Sequence, residues 1–226
     1  MTAVLFGSIG SIVETSEMQR DAFNAAFQDH GVDWHWDRGI YQKMLRASGG
    51  QDRINSYAAA RGETVDAAAI HATKSRLFLR FLAGGHVMLR PGVAETLSMA
   101  PLHGAKLAFV TTTERATVEA IKAIVTRQTG IEFDHMTWRT PHRASKPAPD
   151  VYFETLKVLK RTPSTVVAIE DNPDGVSAAK AAGISTIGFT GANIDAKDMQ
   201  HADMSVTNDL NDAVGATLGW SFKVAV

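Results

Sequence analysis

The sequence predicts a doubly wound parallel α/β sheet carrying an inserted helical lobe, on three observations. Short apolar runs rich in β-branched and aromatic residues begin near Val4, Lys106, Thr165 and Thr186, and polar or glycine-bearing turns follow them. From residue 106 onward strand and helix periodicities alternate, the pattern of repeated βαβ units and hence of parallel pairing. Between the first two strands only helical patterns occur, which marks that stretch as an insertion.

Each element follows from local pattern. Val4 to Val13, VLFGSIGSIV, is a β-branched strand ending in a Gly-bearing turn. Met18, Ala22, Phe23 and Ala26 then share one helical face, with Ser16 as the expected N-cap. Further helices are expected over Arg38 to Arg46, Asp52 to Ala60 and Val65 to Ala83, separated at Gly49, Gly50 and Gly62. Leu89 to Val93 reads as a return hinge, followed by a helix from Val93 to Met99 and a strand from Lys106 to Val110. A helix over Glu114 to Ile124, a short strand over Met136 to Arg139, a helix over Ala148 to Leu159 and a strand over Thr165 to Ile169 come next. Asp174 to Ala182 reads as a helix stopped by Gly183, then a strand over Thr186 to Phe189. A short strand at Ser205 to Val206 and a helix over Asp209 to Leu218 close the chain.

The 226 residues, 45% of them hydrophobic, suffice for a substantial core. A net charge of −1 gives no reason to expect nucleic acid or an acidic membrane as a partner. With no cysteine the chain has no disulfide, no thiolate metal site and no cysteine nucleophile, which fits a reducing, cytoplasmic setting. No leader pattern opens the sequence and no stretch reaches the roughly 18 apolar residues of a membrane span, so it reads as soluble.

The chemistry-bearing residues gather at strand ends, where a parallel sheet presents its reactive groups. Thr111 opens a Thr-Thr-Thr run whose hydroxyls and amides suit a phosphate oxygen; the plainer reading is a capping box with Glu114. Lys146 stands between Ser145 and Pro147 in SKPAPDVY, where two prolines keep the chain non-helical; a solvated surface lysine is the plain alternative. Glu170 and Asp171 end the fourth strand as paired carboxylates suited to Mg²⁺ with several waters retained. Against that stands a helix start at Asn172-Pro173 with no metal role.

Taken together, AFVTTT, KPAPDVY and VVAIEDNPD resemble the motifs of the haloacid dehalogenase superfamily, in its subgroup of β-phosphoglucomutases and sugar-phosphate phosphatases. The resemblance implies a core of residues 1–14 and 89–226 and a helical cap of residues 15–88. It gives Thr111, Thr112 and Lys146 to phosphate binding, and Asp171 and Glu170 to the metal, the latter through water. The cap segment VDWHWD, then Tyr41, then GGQDRI, resembles the cap of sugar bisphosphate phosphatases often encoded beside Rubisco, whose GGKxR segment grips a distal phosphate. Gln51 replaces that lysine and Arg53 remains as a candidate substrate contact. Where that cap supplies an acid and a histidine, this chain has Ser16 and Gln19. Trp34 and Trp36 read as packing residues.

The opening motif departs from the family. FDxDGTLxD carries the nucleophile and the general acid/base, but here the register reads Phe6-Gly7-Ser8-Ile9-Gly10-Ser11-Ile12-Val13-Glu14. Gly7 has no side chain to attack phosphorus and Ile9 cannot transfer a proton. Ser8 is expected on the opposite strand face from Gly7 and Ile9. Losing one carboxylate also predicts weak Mg²⁺ binding. The expected function is therefore a family member that binds phosphate or a phosphosugar without the usual phosphatase chemistry. Two alternatives stay open: a Mg²⁺-dependent phosphatase or phosphomutase using directly attacking water, and a non-catalytic interaction scaffold. A protein partner is not named by the sequence.

Overall fold

The computed structural model describes residues 2–45 and 49–220. Its sheet has six parallel strands: β1 (Ala3–Phe6), β2 (Lys106–Phe109), β3 (His135–Met136), β4 (Val166–Glu170), β5 (Ser185–Phe189) and β6 (Met204–Val206). Their spatial order is β3-β2-β1-β4-β5-β6, so the chain winds outward from β1 in both directions. Phe6 pairs with Phe109 on one side and Ile169 on the other, which brings the carboxyl ends of the three central strands level. That level edge is the crevice where α/β folds bind ligands.

Helices cover both faces. α5 (Val93–Leu102), α6 (Arg115–Thr129) and α9 (Leu210–Leu218) contribute Leu97, Val118, Ile121 and Val214 to one core with Val4, Phe6 and Phe109. α7 (Asp150–Leu159) and α8 (Pro173–Ala181) contribute Val151, Leu156 and Ala178 to the other, against Ala3, Leu5 and Ala168. The alternation of β1 side chains between these two cores is the period-two rule at work. α8 stops at Ala181, and Gly183 with φ of +75° turns the chain toward β5, where a side chain would be strained.

The inserted lobe is α1 (Ser16–Asp29), α2 (Arg38–Met44), α3 (Gly50–Arg61) and α4 (Ala67–Gly84). Trp36 is fully buried between Phe23 and Phe27, with ring centroids 4.8 and 4.7 Å away, and Trp34 packs edge-on to Phe27 and Tyr57. Both tryptophans are thus packing residues, as expected. Ala22, Phe78 and Leu82 join the larger core cluster and seat the lobe on the sheet domain. Where the chain crosses between the two parts, Val13 pairs with Leu89 in an antiparallel bridge and the Arg90 amide donates to the Ile12 carbonyl at 2.9 Å.

Boundaries differ from expectation in several places. The strand expected over Met136 to Arg139 is His135–Met136, because the Thr137 side chain is drawn into an exchange of bonds with the Thr111 backbone. α6 runs on to Thr129 and is capped at Glu114 rather than Thr111. Ser16 is the first helical residue and Thr15 the half-in residue; the Ser16 hydroxyl is drawn to the Glu14 carboxylate instead of capping. α2 ends at Met44, while the end expected at Arg46 lies outside the described residues. The cap at Asn172 holds, its side chain accepting from the Gly175 amide at 2.9 Å with Pro173 in the first turn.

Candidate active site

A cleft of about 810 Å³ lies between the carboxyl edge of the sheet and the helical lobe. The core lends it Gly7, Ser8, Ile9, Thr111, Thr112, Lys146 and Asp171; the lobe lends it Gln51, Arg53, His71 and Lys74. The sequence-identified residues are therefore together in space, with one exception.

That exception is Glu170, which does not line the cleft. Glu170 is 0% exposed, and its Oε1 accepts from Lys146 Nζ and from the Tyr152 hydroxyl, both at 2.5 Å. Consecutive residues at a strand end point to opposite sides, so Glu170 turns inward while Asp171 turns out to the cleft. Lys146 also donates to the Val110 carbonyl at 2.8 Å and the Gly7 carbonyl at 2.5 Å. A Cβ built on Gly7 would collide with the Glu170 carboxyl and the Tyr152 hydroxyl. The Glu170 carboxyl group thus occupies the room beside residue 7 that a side chain there would need. Its other oxygen, Oε2, is buried without a hydrogen-bond partner. Burial pushes the Glu170 pKa up, outweighing the pull of the Lys146 ammonium, and burial with the neighbouring carboxylate pushes the Tyr152 phenol well above its usual value.

The donor set available to a divalent cation is correspondingly thin. Among the described residues no group of three or more His, Asp or Glu side chains is placed to hold a metal ion. Asp171 faces the cleft and accepts from the Asn172 side chain at 2.6 Å. With Glu170 engaged by Lys146, these residues do not fit an octahedral Mg²⁺ site, which needs more hard oxygens converging on one point.

Thr111 is buried at the end of β2; its amide donates to the Thr137 hydroxyl at 2.9 Å and its own hydroxyl accepts from the Thr113 amide at 3.3 Å. This turn aims the run of threonines at the cleft. β1 ends at Phe6 and Ile9–Ser11 form a 3₁₀ turn, so strand alternation does not reach Ser8, which lines the cleft instead of facing away.

In the lobe, Arg53 packs over the Tyr41 and Phe23 rings and donates to the Met44 carbonyl at 3.1 Å. Gln51 is exposed at the cleft rim. Lys74, absent from the sequence-based candidates, is 6% exposed and donates to Gln19 Oε1 at 2.9 Å. Its signal was in the sequence: Ala67, Ile70, Lys74 and Phe78 share one buried stripe of α4, and a charge on an apolar stripe asks for an explanation. His71 precedes it by one turn, and burial together with the Lys74, Arg139 and Arg53 charges pushes its pKa down to about 4.

Asn193, also missed, had no signal beyond its place after β5. Its side chain, 3% exposed, accepts from Arg38 Nε at 2.8 Å and Gln42 Nε2 at 3.3 Å, and donates to Ser16 Oγ at 3.0 Å and Glu17 Oε1 at 2.5 Å. One core residue thereby ties α1 and α2 to the sheet domain. Asn193→Ala is expected to loosen that seam. Hydrogen exchange at the first turns of α1 and α2 should then accelerate by about tenfold or more while sheet amides keep their protection; unchanged exchange in those turns would refute the role.

No helix among the described residues is long and apolar enough to cross a membrane. Comparison with known proteins agrees with the geometry. CbbY of Rhodobacter capsulatus is 36% identical over 191 residues, covering 83% of this chain and 84% of that protein. The crystal structure of CbbY from Rhodobacter sphaeroides in complex with phosphate superimposes with a TM-score of 0.83 at 33% identity, covering 97% of this chain and all of the other. A mutant of the same protein, crystallised with xylulose-(1,5)bisphosphate, matches with a TM-score of 0.81 at 34% identity over 92% of this chain and 95% of the other. The sequence model of the haloacid dehalogenase-like hydrolases matches residues 2–183. A level parallel sheet edge, a helical lobe facing it and these matches across most of the chain lead to one conclusion: the chain belongs to the haloacid dehalogenase-like hydrolase family.

Proposed function

We propose that this family member binds phosphate or a phosphosugar in its cleft and does not transfer the phosphoryl group through an aspartyl intermediate. One observation carries the reading: the space beside Gly7 is taken by the Glu170 carboxyl, which Lys146 and Tyr152 hold in place. Covalent phosphoryl transfer needs a carboxylate oxygen in line with phosphorus, and the leaving oxygen needs a proton donor. Neither Gly7 nor Ile9 provides these groups. Binding needs less. Thr111 and Thr112 contribute hydroxyls and amides at the core end, and Arg53 with the exposed Gln51 serves the lobe end, with residues 15–88 acting as a cap on a core of residues 1–14 and 89–226. Magnesium, general in the family's phosphatases, is expected to bind weakly here, since Glu170 is turned away into its ion pair with Lys146 and Asp171 alone of the two strand-end carboxylates faces the cleft. The relatives that bind phosphate and xylulose-(1,5)bisphosphate indicate the ligand class to try first.

Calorimetric titration tests the reading. Inorganic phosphate and xylulose-(1,5)bisphosphate are expected to bind in the presence of a chelator, the bisphosphate more tightly because both ends of the cleft engage it. Hydrolysis of either phosphate ester of the bisphosphate should stay at background. Absence of heat at millimolar ligand overturns the binding half; an aspartyl-phosphate detected by mass spectrometry during turnover overturns the catalytic half, whereas steady release of phosphate without it, lost in Asp171→Ala, would mark direct attack by water.

A further inference from the structure

The two ends of the cleft differ in how their positive charge is balanced. At the core end Lys146 is paired with Glu170 at 2.5 Å, and Arg139 lies 3.6 Å from Glu114. At the lobe end Lys74 is buried with no carboxylate partner among the described residues. Its Nζ donates to the neutral Gln19 side chain and lies 4.8 Å from the centre of the Phe23 ring and 4.9 Å from that of Phe78. The charged and titratable groups that bear on it are Arg53 on α3 and His71 on its own helix, with Asp52 and Arg139 acting on His71 from farther out and Tyr41 of α2 against Arg53; α1 presents the neutral Gln19 to it, while Glu17 and Arg20 of α1 and the preceding Glu14 act on Tyr41. A buried ammonium with a guanidinium for a neighbour is costly unless an anion joins it. The ring faces offset part of that cost, though less than a carboxylate would.

We propose that Lys74 sheds its proton in the empty cleft at mildly alkaline pH and takes it up again when a doubly charged oxyanion settles against it and Arg53, so that anion binding is coupled to proton uptake. The inference rests on the binding reading above and adds to it a site residue and a pH dependence. Burial, with repulsion from Arg53, pushes the lysine from 10.5 down to about 7. An incoming dianion reverses the sign of the local field and restores the charged form. Affinity should then fall by up to about tenfold per pH unit above pH 7, as protonating the lysine becomes part of the binding reaction.

Two measurements separate this inference from the reading beneath it. In the ligand-free protein, unfolding free energy is followed against pH for the parent and Lys74→Met. The unfolded chain keeps a proton on Lys74 between the folded and unfolded pKa, where the folded chain has lost it, so parent stability rises relative to the variant as pH increases from about 7 to about 10. Parallel curves mean an ordinary lysine and overturn the inference alone. In the second, sulfate, a dianion that does not itself titrate in this range, is bound calorimetrically at about pH 8 in two buffers of different ionisation enthalpy. Uptake of about 0.9 proton per sulfate is expected, persisting in His71→Asn and vanishing in Lys74→Met. Binding with identical heat in both buffers, or uptake that follows His71, overturns the coupling. A complete absence of sulfate heat overturns the coupling, while the phosphate and bisphosphate titrations still report on the binding reading and the ligand-free comparison on the state of Lys74.

Discussion

Installing aspartate at both Gly7 and Ile9 is expected to switch on Mg²⁺-dependent hydrolysis of an aryl phosphate, at least about 10²-fold above the parent chain, the lower end of what a general acid/base position supplies. The reason lies in where the new groups land. A Cβ at residue 7 meets the carboxyl end of the Glu170 side chain and the Tyr152 hydroxyl, so the Glu170 carboxyl must give way. The new carboxylate then competes for Lys146, and Glu170 is displaced from the ion pair toward Asp171. One substitution would thus supply the nucleophile and release an oxygen ligand for the metal. Aspartate at residue 9 supplies the proton donor that Ile9 cannot be. Each single variant should remain at background: one lacks the proton donor and the other the attacking oxygen. A folded double variant that stays silent at saturating Mg²⁺ would show that the cleft has lost more than these two carboxylates.

The second large effect concerns stability. Lys146→Met leaves the Glu170 carboxylate buried without its cation, and such one-sided removal costs about 3–5 kcal/mol near neutral pH. The pH dependence has a definite sign. The Glu170 pKa is already raised by burial, and losing Lys146 removes the main opposing pull. In the variant the folded state therefore holds a proton on Glu170 to higher pH than the unfolded state does, so its stability falls as pH rises from about 4.5 through the raised folded value. The deficit relative to the parent should be smallest at about pH 5 and largest above neutrality. Adding Glu170→Leu should recover most of the loss, since an apolar pair of similar volume replaces a buried ion pair at little cost. Urea unfolding at several pH values decides: a loss below about 1 kcal/mol at every pH would mean that water or a rearrangement solvates the freed carboxylate.

Much of this architecture is legible in the sequence because periodicity and punctuation act locally. The alternation of apolar strand and amphipathic helix after Lys106 specifies parallel winding, and Asn172-Pro173 specifies the start of α8 through its own hydrogen bond. The motifs around Thr111, Lys146 and Asp171 locate the sheet edge. What the sequence does not reveal depends on through-space partners. Glu170 and Asp171 read as a pair aimed at one cleft, yet their adjacency on a strand separates them, and the destination of Glu170 is set by Lys146, 24 residues away. The β3 boundary moved because Thr137 bonds to Thr111, 26 residues distant. Lys74 was readable in principle from its place on an apolar stripe, whereas Asn193 acquires its importance only when a loop after β5 meets two helices of the insert.

The paired linkers set the geometry of any motion. Val13 and Leu89 are bridged to each other, Arg90 is bonded to the Ile12 carbonyl, and the Arg90 guanidinium holds the carbonyls of Gly10, Phe189 and Thr190. The two crossings therefore behave as a single ribbon clamped at its foot. A lobe attached by one clamped ribbon swings like a door on one post. Asn193, bonded to Ser16 and Glu17 just past the crossing and to Arg38 beyond it, is a latch set close to that post, and the post itself should stay still while the door moves.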